Sequence, residues 1–104
     1  GYTARRYHRV VTERFEWDLK KARANARRHS VSFAEAVAVF DDPLAVWMSD
    51  PDHSHDEERW LLIGSSTRRR LLVITYTQRE GAIRLVSARK ATRRERRACE
   101  EAPE

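Results

Sequence analysis

The chain has 104 residues, 40% of them hydrophobic and 36% charged, with 21 Lys and Arg against 16 Asp and Glu for a net charge of +5. That length fits one domain, read over residues 1–104, with a modest core under a densely ionic surface. No apolar run approaches the roughly 20 residues of a membrane-spanning helix, and the single cysteine, Cys99, excludes an internal disulfide framework or a cysteine-built zinc site. The basic, polar first residues do not read as a secretory signal, so the cytoplasm is the expected compartment.

Gly1 to Arg14 is basic and weakly patterned, and reads as a flexible arm or an added strand. Phe15-Glu16-Trp17 alternates as a short strand. Asp18 then offers an N-cap to a helix over Leu19 to Arg28, rich in Ala, Lys and Arg. Ser32-Phe33-Ala34-Glu35 reads as a capping box that starts a second helix, which Asp41-Asp42-Pro43 ends. Leu44 to Met48 reads as a strand, Ser49 to Glu58 as an acidic loop and Arg59 to Gly64 as the next strand. After a turn at Ser65 to Arg69, Arg70 to Thr77 carries the strongest strand pattern in the chain. Gln78 to Gly81 is a hairpin turn, and Ala82 to Ser87 the last strand. Thr92-Arg93-Arg94-Glu95 is a capping box for a terminal helix to about Glu101. Successive strands with short turns pair antiparallel. The predicted fold is therefore α+β, a curved antiparallel sheet with two N-terminal helices and one C-terminal helix packed on one face.

Charge is polarised along the chain. Residues 68–97 hold ten arginines and Lys90 against only Glu80 and Glu95, whereas residues 41–58 hold seven acids and no Lys or Arg. Arg dominates the basic part, and its planar fork suits bidentate phosphate contacts. A nucleic-acid partner is the leading expectation, with a merely solvated surface as the plain alternative. Arg93 and Arg94 occupy a first helical turn, where cations oppose the dipole and a phosphate would reverse the conflict. Arg84 lies inside a strand between Ile83 and Leu85, so alternation sends it to the face opposite those two. Arg70 opens the neighbouring strand and Arg89 follows the last one, so three guanidinium groups are expected to converge on one groove. The loop Asp50 to Glu58, with His53 and His55, matches no metal motif, and neither a metal nor a cofactor is expected. His29, ending the first helix, reads as a dipole or capping group, with general acid–base work as the sharper alternative.

Several segments together resemble the BrnT family of toxins. They are Phe15-Glu16-Trp17-Asp18, Asn25 to Ala36, Val39-Phe40-Asp41-Asp42-Pro43, Glu57 to Gly64, and Ser87-Ala88-Arg89-Lys90-Ala91-Thr92-Arg93-Arg94-Glu95-Arg96. The last is the most specific, and the match runs in order from about Phe15 to Glu101. Ser30 departs from the pattern, standing where the family usually has Gly. The resemblance implies a RelE/ParE-like fold and the toxin half of a type II toxin–antitoxin pair. It also implies a metal-independent endoribonuclease that blocks translation and is neutralised by a BrnA-type ribbon-helix-helix antitoxin. Operator DNA would be met only through the antitoxin complex. Such a reaction uses the adjacent 2′-hydroxyl as nucleophile and needs a base, an acid and cations around the phosphorane. Arg70, Arg84 and Arg89 are the candidates for charge stabilisation, and His29 and Glu58 for proton transfer. Arg93, Arg94, Arg96 and Lys90 are candidate RNA contacts, with Trp60 or Tyr76 to stack a base. A non-catalytic nucleic-acid-binding module and a ParE-like gyrase inhibitor are the competing functions.

Overall fold

The computed structural model describes residues 5–6, 14–50 and 58–102; most of the basic segment before Arg14, and residues 51–57 of the acidic loop, lie outside these. The elements in order are β1 (Arg5–Arg6), β2 (Arg14–Glu16), α1 (Leu19–His29), α2 (Phe33–Val39), β3 (Val46–Ser49), β4 (Trp60–Ser65), β5 (Leu71–Arg79), β6 (Ala82–Lys90) and α3 (Arg93–Glu100). The strands form one open sheet in the order β1-β3-β4-β5-β6-β2. β3 to β6 pair antiparallel, as the short turns between them require. β2 instead runs parallel to β6, with Phe15 opposite Ile83 and Glu16 opposite Arg84. The sheet is therefore mixed rather than wholly antiparallel. Parallel partners need a long connection, and α1, α2 and three strands lie between β2 and β6.

The expectation that all the helices share one face is also corrected. Val31, Phe33, Ala36, Val39 and Phe40, from α2 and its flanks, pack with Leu62, Leu72, Ile74, Tyr76, Ile83 and Leu85 on one side. A second cluster of Val46, Met48, Leu61, Ile63 and Val73 occupies the other side, with Cys99 and Ala102 of the α3 segment against it. Strands apolar on both faces, such as Leu61-Leu62-Ile63, can be covered twice. Each fully buried large aliphatic side chain contributes about 1.5–3 kcal/mol.

Local chemistry fixes the helix ends. The Asp18 carboxylate accepts the Lys20 N–H at 2.7 Å. Ser30 ends α1 at φ 57°, and its N–H donates to the Ala26 carbonyl at 3.0 Å. A left-handed residue with a Cβ costs about 1–2 kcal/mol, so Ser performs the turn that Gly would make more cheaply. Ser32 Oγ accepts the Glu35 N–H at 3.0 Å. The Glu35 carboxylate bonds Arg70 and Ser66 instead of returning to the cap, so only half of that expected box forms. The Thr92–Glu95 box is complete. Gly64 is required by close approach, since a Cβ there would lie 2.8 Å from Ala45 Cβ and 2.9 Å from Val39 Cγ1.

Asn25 joins α1 to the sheet. Its Nδ2 donates to the Ala88 carbonyl at 2.8 Å and the Val31 carbonyl at 3.0 Å, and its Oδ1 accepts the Ala88 N–H at 3.0 Å. β2 covers β6 only as far as Arg84. Beyond it the Asn25 amide stands in for a neighbouring strand and satisfies the backbone at Ala88.

Candidate nucleic-acid interface

The arginines expected to meet are held on opposite sides of the sheet. Arg70 lies on the α2 side. Its Nε donates to Glu35 Oε2 at 3.0 Å, its Nη2 donates to Glu35 Oε1, and Nη2 also reaches the Ser30 carbonyl at 3.0 Å. Ser66 Oγ donates to Glu35 Oε2 at 2.6 Å, and Arg68 stands 3.9 Å from Oε1. The Arg70 guanidinium holds the Glu35 carboxyl below its usual range against the opposing effect of burial, and Glu35 in turn pushes Arg70 up. Arg70 is thus spent on anchoring β5 to the α1–α2 joint. The expected three-fold convergence is corrected to two.

Arg84 and Arg89 do share a face, for a reason that alternation alone would miss. Five positions apart, they should point to opposite sides of a regular strand. Between them the pairing slips: Thr75 faces Ser87 but Tyr76 faces Leu85, which leaves Val86 as an extra residue in β6. This bulge returns both arginines to the side of Val73 and α3. Arg84 stands opposite Thr77 and Arg89 opposite Val73. With about 3.3 Å per residue, their backbones are roughly 13 Å apart along the sheet. Their surroundings are a packed layer rather than an open groove, because Met48, Leu61 and Thr77 on this side are also buried. The two arginines line the β6 rim of a packed layer, with side chains 40% and 36% exposed.

Each has a carboxylate nearby. Arg84 Nη1 is 3.7 Å from Glu16 Oε1, and both side chains are substantially exposed. Such a pair is worth about 0–1 kcal/mol and yields readily to a stronger anion. Arg89 is gripped in a fork: Nη1 to Glu95 Oε1 and Nη2 to Glu95 Oε2, both at 2.7 Å. Glu95 also accepts the Thr92 N–H at 2.9 Å, so the α3 capping carboxylate doubles as the counter-ion of Arg89. Arg89 above all holds Glu95 below the usual carboxylate range; burial opposes this and Thr92 adds to it. With Glu95 turned inward, Arg93, Arg94, Arg96 and Arg97 remain exposed on the outer side of α3.

The other expected site residues fall elsewhere. His29 ends α1, half-buried, at the same joint as Arg70 and away from Arg84. Glu58 is exposed just ahead of β4. Tyr76 is 3% exposed, with its ring edge-on to that of Phe40 at 5.2 Å, so it offers no face for a base. Trp60 packs edge-on against Trp47 at 5.0 Å on the α2 side. Lys90 is exposed opposite Leu72, which alternation places on that side too. His53 and His55 lie outside the described residues. Among the described residues no group of three or more His, Cys, Asp or Glu is placed to share a metal ion. Sequence reasoning missed Glu16, Glu35 and Asn25. A lone Asn within an Ala/Lys/Arg helix was the available signal for Asn25, since Asn favours caps over helix interiors.

Residues 17–95 match the family model described as the ribonuclease toxin BrnT of a type II toxin–antitoxin system. The chain belongs to the BrnT family. It is thus a ribonuclease toxin of a type II toxin–antitoxin system, and such membership implies an antitoxin partner. No curated protein matches the sequence. Among solved structures, the 1.1 Å crystal structure of the Brucella abortus ribonuclease toxin BrnT is similar in fold. Its TM-score is 0.57 at 17% identity, covering 80% of this chain and 100% of that one. The BrnT-like part therefore includes the bulged β6, the Arg89–Glu95 fork and the start of α3. No described helix is long and apolar enough to cross a membrane.

Proposed function

We propose that this BrnT-family chain is a metal-independent endoribonuclease of the cytoplasm that blocks translation by cutting RNA, with the β6 rim and α3 as its RNA-binding side. The observation that carries this reading is the bulge-assisted placement of Arg84 and Arg89 on one face, beside the exposed arginines of α3. Guanidinium groups can stabilise phosphorane charge without a metal, provided that they are aimed at it. A separation of roughly 13 Å along the strand suits contacts to different parts of one RNA strand better than a shared grip on one oxygen. Arg84, in a weak exposed pair, is the more readily recruited, whereas Arg89 is held in a fixed orientation by Glu95. The neutralising partner in this reading is a BrnA-type ribbon-helix-helix antitoxin, which would bring operator DNA to the complex.

Purified chain is incubated with RNA in EDTA. Cleavage leaving 2′,3′-cyclic phosphate ends supports the enzyme. Salt-sensitive binding without cleavage supports a binding module, and inhibition of gyrase supercoiling supports the third function. Arg84→Ala, and Arg89→Ala combined with Glu95→Gln so that no buried carboxylate is stranded, are each expected to abolish growth inhibition while the protein stays folded. If both variants fold and remain toxic, the site lies elsewhere.

A further inference from the structure

The side of the molecule away from Arg84 carries an apolar groove that the ribonuclease reading leaves unused. It runs between α1 and the start of α2, holds about 250 Å³, and is lined by Trp17, Leu19, Ala22, Ala26 and Phe33 with Arg23 at its edge. Leu19 is 65% exposed. The spacing 19, 22, 26 puts one large and two small apolar residues in a row, so the helix surface is a trough with a raised end. Lys20, Arg23 and Arg27 follow the adjacent helical row and are all exposed. α1 contains no acidic residue, and among the described residues no carboxylate pairs with these three cations. A small apolar trough bordered by unpaired charge of one sign fits a partner that brings apolar side chains and the opposite charge together.

We infer that this groove docks an acidic amphipathic helix of the antitoxin, with aliphatic side chains in the trough and carboxylates against Lys20, Arg23 and Arg27. The inference rests on the toxin–antitoxin reading for its partner, but not on the chemistry of the RNA site. The volume falls below the roughly 300–1,000 Å³ of small-molecule pockets, and the groove suits side chains spaced i, i+3 and i+4 along a docked helix. An RNA strand is the poorer fit. Alanines offer a base nothing to stack on, and the Trp17 ring is engaged edge-on with Phe33 at 5.9 Å.

The test titrates purified antitoxin into the full chain by calorimetry. Compared are the wild type, a Leu19→Asp/Arg23→Glu double variant, and Lys21→Glu on the far side of α1. Leu19 opens α1, where an acid suits the helix dipole, so the double variant should retain its circular dichroism. The expected result is at least a tenfold weaker Kd for the double variant and less than a threefold change for Lys21→Glu, with RNA cleavage equal to wild type. Unchanged antitoxin affinity in the double variant overturns the proposal. Equal weakening by Lys21→Glu also overturns it, by showing diffuse attraction without a groove. A selective loss of RNA binding or cleavage in the double variant would give the groove to RNA instead. Absence of cleavage by the wild type would count against the ribonuclease reading alone, because docking is measured without RNA.

Discussion

Arg70→Ala separates the two sets of arginines most sharply, because its cost should be structural. The substitution removes two bonds to a Glu35 side chain that is only 6% exposed, and one to the Ser30 carbonyl. Removing one partner of a fully buried pair costs about 3–5 kcal/mol. Arg70 itself is 21% exposed, and Ser66 still donates to Glu35, so the cost falls at or below the lower end of that range. A loss of about 2–3 kcal/mol, at about 4–8 °C per kcal/mol for a domain of this size, lowers Tm by roughly 8–24 °C. A thermal melt followed by circular dichroism measures it. Replacing both partners together, as Arg70→Met with Glu35→Leu, should recover most of the loss, because apolar groups of similar volume leave no charge stranded. Arg84→Ala is the control; its exposed pair predicts a loss within about 1 kcal/mol. If Arg70→Ala melts within about 4 °C of wild type, the span of a pair worth no more than about 1 kcal/mol, or if the double variant is no better than the single, Arg70 does not anchor β5 to Glu35.

Two further outcomes follow from the same chemistry. The Glu35 and Glu95 carboxyls are both held below the ordinary value of about 4.3 by Arg70 and Arg89. Their contribution to stability is complete at neutral pH and is lost as the pH falls through the depressed folded-state values; Glu95→Gln should flatten part of that acid loss in urea titrations run across pH. Asn25→Ala strands the Ala88 N–H and carbonyl and the Val31 carbonyl, and should cost about 2–4 kcal/mol by urea denaturation. A loss under about 1 kcal/mol would mean that water replaces the amide.

Periodicity and caps made most elements legible without coordinates. Asp18 and Thr92 cap as their residue types require, the alternating run after Arg70 forms the central β5, and Leu61-Leu62-Ile63 forms β4. These depend on neighbours within a few positions, so local chemistry decides them. The family motifs around Asn25, Gly64 and Arg89 were also readable, although the tasks of Asn25 and Gly64 were not. Both act on backbone brought near only by folding.

The tertiary structure decided which charges meet. Arg70, Arg84 and Arg89 look alike along the chain, yet Glu35 draws the first to α2 while the Val86 bulge turns the other two toward α3. One inserted residue reverses every side-chain direction after it, and a parallel β2 sets Glu16 beside Arg84 across most of the chain's length. Composition determined that the surface would be rich in guanidinium groups. Strand register and helix packing determined where they stand, because a side chain's facing depends on partners that lie far away in sequence.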